Sequence, residues 1–466
     1  MRLVGMNRYK KLAFNTVIFA VGTFSSKLLV LLMLPLYTRV LTNAEYGEID
    51  LVVQTCNILI PVVSVGILNA VIRFGLERAV PQKSVFSVGL YTILFGFLAF
   101  YLARPFVQSI YFISDYVGYV YLFVLTSGVH FLCSNFIRSQ EQVKLYAFDG
   151  ILRTILIVAL NIVFLMVLRY GVEGYLLAAI LSDAISAVIL FFVARLYRFI
   201  SLSGIDKILI KDMLKYSLPL IPTTISVWII NISDRYILSY LIGNEATGLY
   251  AIAYKVPTII TIMAAIFMDA WQISSVSEYK EKDGARFFTQ VFSVYSSLVF
   301  LISSAIVAFT KIIAGVLVSA DFYTAWRFMP VLVISTTFAC FATFLSSIYM
   351  NEKKSGHILL TTAISAVINI VLNIILIPIC GIQGAAIATL FSYIVMFLVR
   401  AVHSKSFIRI SYNIPKLFIN ASIILLQIVI IYLEIQNWFI CGLVLLSIVF
   451  AINIKTVLTG VRKVVV

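Results

Sequence analysis

Lys27, Arg235 and Lys255 are cations placed inside apolar stretches, where a charge costs a few kcal/mol unless it meets a counter-charge, water or a ligand. Lys27 sits in VGTFSSKLLVLLMLPLY, about fifteen residues from either end of its run and so about 20 Å deep, too far for easy snorkelling. Its small neighbours Gly22, Ser25 and Ser26 give that face a partner of protein or water. Arg235 and Lys255 fall in SLPLIPTTISVWIINISDRYILSYLIGNEATGLYAIAYKVP, from Ser217 to Pro257, which reads as two apolar helices joined at Gly243-Asn244. Pro219 and Pro222 remove backbone donors near the first of these, so its start is expected to be irregular. Such cations can line a water-filled cavity that binds an anion. They can equally form structural ion pairs, for example Lys27 or Lys255 with Asp50. Arg73, at the end of the second apolar run, either joins the cavity set or serves as an interfacial charge.

Glu48, Asp50, Asp183, Asp234 and Asp269 are the carboxylates in or near apolar runs. A buried carboxylate can take up a proton or hold sodium, coupling movement to an ion gradient, or it can neutralise a cation. Asp234 beside Arg235 favours neutralisation. Asp183 and Asp269 have no basic neighbour close in sequence and are the better coupling candidates, with Asp50 and Asp234 completing the set. His357 and His403 lie at run ends beside basic residues, and His130 lies inside a run with no Asp or Glu at helical spacing, so no catalytic pair is read. The five cysteines are scattered without metal-ligand or disulfide spacing. No phosphate-cradling glycine loop occurs. No enzyme activity, cofactor or metal is expected. Asn161, Asn369 and Asn373 are expected to form interhelical hydrogen bonds.

The elements that must position these groups are membrane helices. Across 466 residues, 62% are hydrophobic and 12% charged, a balance that excludes a soluble globular chain. Apolar runs of about 20 residues fall at roughly 12–38, 48–74, 85–104, 116–137, 154–169, 174–194, 217–242, 248–270, 287–310, 328–350, 358–379, 383–400, 417–434 and 437–456. Twelve or thirteen spans remain alternatives, because the fifth and sixth, and the last two, are barely separated. The first run is too long for a cleavable signal. With the N-terminus in the cytoplasm, 27 of the 35 basic residues fall on that side, among them Arg73, Arg153, Arg400 and Lys416, against five on the other. That asymmetry accounts for the net charge of +15 as topology and places both termini in the cytoplasm. Nucleic-acid binding is not expected.

The halves of the chain look alike. Leu41–Gln54 (LTNAEYGEIDLVVQ) matches Ile242–Lys255 (IGNEATGLYAIAYK) at an offset of 201, and Gly171–Ser182 (GVEGYLLAAILS) matches Gly381–Ser392 (GIQGAAIATLFS) at an offset of 210. Six spans per repeat is even, so the halves share an orientation and are related about the membrane normal. The expected fold is all-α and polytopic, with about 14 transmembrane helices. Residues 1–198 and 217–402 form two six-helix bundles with pseudo-two-fold symmetry, 199–216 a cytoplasmic linker, and 403–466 two additional helices.

SKLLVLLMLPLYTRVLTNAEYGEIDLVVQ resembles the opening hairpin of polysaccharide flippases, where a long span leads into R-x-L-x-x-x-x-[FY]-G; Arg39, Leu41, Tyr46 and Gly47 occupy that pattern. DRYILSYLIGNEATGLYAIAYK and INIVLNIILIPICGIQGAAIATLFSY (Ile368–Tyr393) are similar to later parts of the same family. The chain looks like an O-antigen or capsule repeat-unit flippase, of the superfamily that holds multidrug exporters and the lipid II flippase. The resemblance implies a V-shaped pair of six-helix bundles around a cationic cavity, and a polyprenyl-pyrophosphate-linked oligosaccharide moved from the cytoplasmic to the outer leaflet by alternating access. It also implies a bacterial inner membrane location, with lipid and polysaccharide polymerase or assembly proteins as partners. Lys27, Arg235, Lys255 and Arg73 would bind the pyrophosphate.

Two other functions compete. A drug or cation antiporter of the same superfamily favours an acidic, aromatic-lined cavity, which the buried cations oppose. A membrane polymerase or acyltransferase needs a large outer loop or a supported intramembrane histidine, and the sequence shows neither.

Overall fold

Apolar runs long enough to cross a bilayer fold as helices because lipid offers no partner for a bare N–H or C=O. The computed structural model describes residues 31–77, 80–201, 207–279, 283–352 and 354–465. Its described helices are α1 (Leu34–Val40), α2 (Asn43–Val63), α3 (Ile67–Gly75), α4 (Gln82–Leu102), α5 (Arg104–Gln108), α6 (Val117–Ser139), α7 (Val143–Asn161), α8 (Gly171–Val193), α9 (Lys207–Ser217) and α10 (Leu220–Leu241). They continue with α11 (Asn244–Lys255), α12 (Thr258–Glu278), α13 (Gly284–Ala308), α14 (Thr310–Leu317), α15 (Met329–Asn351), α16 (Ser355–Cys380), α17 (Ile382–His403), α18 (Ile414–Tyr432) and α19 (Trp438–Val465). Twelve described segments are long and apolar enough to cross a membrane, and the bent pair α11–α12 makes a thirteenth. These thirteen correspond to the second through fourteenth expected spans. Most of the first, with Lys27, lies outside the described residues. The chain is a multi-pass, all-α membrane protein.

Two of the expected spans are broken. The second divides into α2 and α3 at Ser64–Gly66, where Val65 and Gly66 both take positive φ, 53° and 65°. The eighth bends by 42° between α11 and α12, beside Pro257, and Lys255 is the last residue before the bend. The irregular start expected near Pro219 is the step between α9 and α10. The segment expected as a linker contains α9, whose Leu209 and Met213 are buried in an apolar core with Ile67, Val71, Phe86 and Phe136.

The helices divide into two compact units, the first ending at Trp228 and the second beginning at Ile229, within α10. In the first unit, Trp228 Nε1 donates to the Gln54 carbonyl at 3.0 Å and fixes the start of α10 to α2. In the second, α15 is the most enclosed span, and its Phe341 and Phe344 meet Phe292 and Tyr295 of α13 ring to ring. Both faces here are apolar, so close packing rather than escape from water holds such helices together in lipid.

Local sequence sets the helix starts. Thr42 and Glu45 form a capping box: the Thr42 hydroxyl accepts from Glu45 N, and the Glu45 carboxylate accepts from Thr42 N at 2.8 Å. Tyr46 and Leu41, the apolar members of the opening motif, are buried behind it. The two G-x-x-G matches have one geometry in both units. Gly171 and Gly381 carry positive φ, 55° and 60°, at the turn into α8 and α17. Three residues later, a Cβ at Gly174 would sit 3.2 Å from the Phe164 carbonyl oxygen, and one at Gly384 only 2.2 Å from that of Leu376. The first glycine makes the turn, and the second lets the new helix lie against the end of the last.

Candidate functional site

A polar layer runs through the second unit. Asp234 of α10 is fully buried and accepts hydrogen bonds from the Tyr250 hydroxyl of α11 and from Thr389 of α17, the latter at 3.3 Å. It also caps its neighbour's backbone, accepting from Arg235 N at 2.9 Å. The Arg235 guanidinium lies 3.6 Å from the same carboxylate, donates to the Asn231 carbonyl at 2.6 Å, and stands 4.8 Å over the Tyr254 ring. Tyr393 donates to Asn231 at 2.5 Å, and Ser233 donates to Asn369 of α16, which also accepts from Asn373. Three helices thus supply hydroxyls and a backbone carbonyl to one buried charge pair, with α16 bracing them through Asn369, the condition under which lipid-depth charges are tolerated. Asn369 makes the expected interhelical bond and Asn373 bonds to it within α16. Asn161, by contrast, donates within its own helix, to Ile157 O, among the described residues.

The first unit holds two further clusters at helical spacing. Ser127, His130 and Ser134 follow one face of α6; Asp149 and Arg153 stand a turn apart on α7; Asp183 and Ser186 do so on α8. His130 Nε2 lies 3.0 and 3.1 Å from the Asp149 carboxylate oxygens, which also accept from Ser134 at 2.9 Å and Ser186 at 2.5 Å. A turn away, Asp183 accepts from Arg153 and from Ser127 at 2.5 Å. Sequence reasoning missed both partners. His130 has its carboxylate on a different helix, nineteen residues on. Asp183, judged to lack a basic neighbour, has one thirty residues back. Arg400, counted among the basic residues of the cytoplasmic-side loops, is buried on α17 and donates to Thr361, Thr362 and the Ala342 carbonyl.

The remaining candidates are dispersed. Arg73 of α3 has a side chain 58% exposed, pairs with Glu77 at 3.1 Å, and lines a cavity of about 470 Å³ with Asn69, Tyr216, Thr224 and apolar Ile72 and Leu220. Lys255 is partly buried at the α11–α12 bend, where Thr258 bonds its carbonyl. Asp50 is buried on α2 and accepts from Gln54 at 3.4 Å. Glu48 accepts from the Tyr116 hydroxyl at 2.9 Å. The side chain of Asp269, on α12, and all of Lys27 lie outside the described residues. His403 Nδ1 lies 3.1 Å from the Tyr349 hydroxyl and its ring 4.7 Å from that of His357. Among the described residues no three His, Cys, Asp or Glu side chains are placed to hold a metal.

A family described as polysaccharide biosynthesis protein matches residues 12–272. Over 207 residues the chain is 24% identical to the probable low-salt glycan biosynthesis flippase Agl15 of Haloferax volcanii, matching 44% of each chain, so less than half of that relative is spanned. Among solved structures, the lipid II flippase MurJ in an inward closed conformation is similar with a TM-score of 0.75 at 14% identity, covering 97% of this chain and 100% of that one. An inward-facing multidrug resistance transporter of the MATE family, in the MOP superfamily, is similar with a TM-score of 0.67 at 16% identity, covering 83% and 98%. At these identities the likeness is one of fold, and it extends over both units and the last two helices. The family match covers more than half of the sequence, and the chain belongs to the polysaccharide biosynthesis protein family.

Proposed function

We propose that this protein is a flippase that carries a polyprenyl-pyrophosphate-linked oligosaccharide from the cytoplasmic to the outer leaflet by alternating access, coupled to an ion gradient. The observation that carries the reading most is the cavity at Arg73: an exposed guanidinium beside apolar walls offers the two chemistries a lipid-linked pyrophosphate needs. Glu77 pairs with the guanidinium through one oxygen, and a pyrophosphate, which arginine binds in bidentate fashion, competes with it for that charge. Lys255 at a broken span adds a second cation where discontinuous helices commonly form transport sites. Lys27 completes the set. Arg235 is held by Asp234 and Tyr254 in the resting arrangement, so it reaches substrate only if that layer opens. Asp183, Asp269, Asp50 and Asp234 are the candidate coupling carboxylates.

In this reading residues 1–198 and 217–402 are the two moving bundles, 199–216 joins them and 403–466 is an addition. Both termini face the cytoplasm of a bacterial inner membrane, and polymerase or assembly proteins receive the product. The second reading, a drug or cation antiporter, draws on the fold shared with the multidrug transporter. Binding separates the two. Polyprenyl pyrophosphate titrated into the purified protein should bind about tenfold more weakly to Arg73→Gln and to Lys255→Met, each losing a charged hydrogen bond. Unchanged affinity in both variants, with organic cations bound instead, would favour the antiporter.

A further inference from the structure

The last two helices carry a polar site that the transport reading does not use. We propose that the cleft among α13, α18 and α19 binds the headgroup of an anionic phospholipid that bears free hydroxyls, a phosphoglycerol headgroup being the simplest. The cleft encloses about 370 Å³, and Thr289, Ser293, Ser296, Lys416, Asn420 and Asn453 are among the residues lining it.

Two groups define what fits. The Lys416 ammonium donates to Ser297 at 3.0 Å and to Thr456 at 2.7 Å. An ammonium has three donors, so one remains, and among the described residues no carboxylate pairs with it. A cation held in place by two hydroxyls, uncompensated and facing a cavity, calls for an anion. Asn453 is fully buried, and its amide nitrogen donates to Asn420 Oδ1 at 2.6 Å and to the Val449 carbonyl at 2.8 Å. Those two acceptors fix which way the amide faces, and they leave Asn453 Oδ1 as a buried acceptor with no donor among the described residues. A ligand hydroxyl supplies that donor. Phosphate for the lysine and a hydroxyl for the asparagine, within one small cleft, specify a phosphopolyol. A metal cation is repelled by Lys416, an apolar ligand leaves both groups unmet, and a choline headgroup has no donor to give.

Position agrees with chemistry. The cleft lies at the start of α13, the start of α18 and toward the end of α19, and exposed Arg286, Lys405, Arg409 and Lys455 fall in the same stretches of the chain or just before them. Basic pockets between helices at the cytoplasmic face are where anionic lipid headgroups bind. Ile414 and Phe418, 68% and 72% exposed on the first turns of α18, offer apolar surface for acyl chains.

The proposal is independent of the transport reading and is tested by binding alone. Purified full-length protein in detergent is titrated with short-chain phosphatidylglycerol, phosphatidic acid and phosphatidylcholine, and retained lipid is counted by native mass spectrometry. One phosphatidylglycerol should be retained in preference to phosphatidylcholine. Lys416→Met should weaken it about tenfold, the loss of one charged hydrogen bond. Asn453→Leu should weaken phosphatidylglycerol but leave phosphatidic acid unchanged. Ser293→Leu, which fills the cleft without touching either group, should also weaken phosphatidylglycerol and serves if Lys416→Met does not fold. Equal retention by wild type, Lys416→Met and Ser293→Leu would overturn the site. Displacement of the lipid by millimolar inorganic phosphate would overturn the lipid assignment in favour of a free anion.

Discussion

Replacing Asp234 by Asn leaves the shape of the second unit's polar layer intact and removes its negative charge. Arg235, 5% exposed, then keeps only the Asn231 carbonyl, the tyrosine faces and its lesser contacts. Removing one partner of a buried pair typically costs about 3–5 kcal/mol. Tyr250→Phe removes one hydrogen bond to a charged acceptor, about 1.5–3 kcal/mol. Thr389→Val, at 3.3 Å, removes a long one and should cost about 1 kcal/mol or less. Stability should fall most in Asp234→Asn, less in Tyr250→Phe and least in Thr389→Val. Denaturant unfolding in mixed micelles measures it. The first two substitutions share a carboxylate, so the double variant should fall short of additivity by about 1–2 kcal/mol. A neutral Asp234→Asn, or a Thr389→Val as costly as Asp234→Asn, would refute an ionised Asp234 as the centre of this layer.

Other expectations follow from single contacts. Gly384→Ala drives a Cβ to 2.2 Å from a backbone oxygen, whereas Gly174→Ala meets its nearest atoms at 3.0–3.2 Å; folded yield should collapse in the first and fall modestly in the second, as size-exclusion chromatography would show. Arg153→Ala leaves Asp183 buried with Ser127 alone, whereas Asp183→Asn leaves an arginine whose side chain is 35% exposed, so thermal stability should drop further in Arg153→Ala; the reverse order would show that Arg153 is the buried partner. Lys311 hydrogen-bonds Glu434 at 2.9 Å and lies 4.3 and 5.0 Å over the Trp326 and Trp438 rings. The Lys311 hydrogen bond and charge hold the Glu434 carboxyl below its ordinary value of 4.5. The pair is therefore intact above that value and dissolves as pH falls through the lowered one. Tryptophan emission should change on that acid limb in wild type and not in Lys311→Met.

Much of the architecture was legible because lipid imposes a simple rule: each span must be a long apolar helix, and that pattern survives in one dimension. The match between Gly171–Ser182 and Gly381–Ser392 was legible because it is local, whereas the Thr42–Glu45 capping box, equally local, went unread. The break at Val65 was not legible, since only Pro61 and Gly66 hint at it and a β-branched residue seldom takes positive φ. The buried networks were legible only in part. Asp234 and Arg235 are adjacent in sequence and were singled out. His130 with Asp149, and Arg153 with Asp183, come from different helices, so no spacing along one chain segment announces them. Arg153, Arg400 and Lys416 were counted among the basic residues of cytoplasmic-side loops, yet each donates to a neighbouring helix: Arg153 to Asp183, Arg400 to Thr362 and Lys416 to Ser297.

The flippase reading is tested most directly by transbilayer movement. The protein is reconstituted into liposomes with a polyprenyl-pyrophosphate oligosaccharide on one leaflet, and exposure of the sugar on the other is followed with an impermeant lectin or glycosidase. Wild type should expose it many times faster than protein-free vesicles, and folded Arg73→Gln should do so several-fold more slowly than wild type at limiting substrate. Movement no faster than in empty vesicles, with or without an imposed proton or sodium gradient, would contradict the reading.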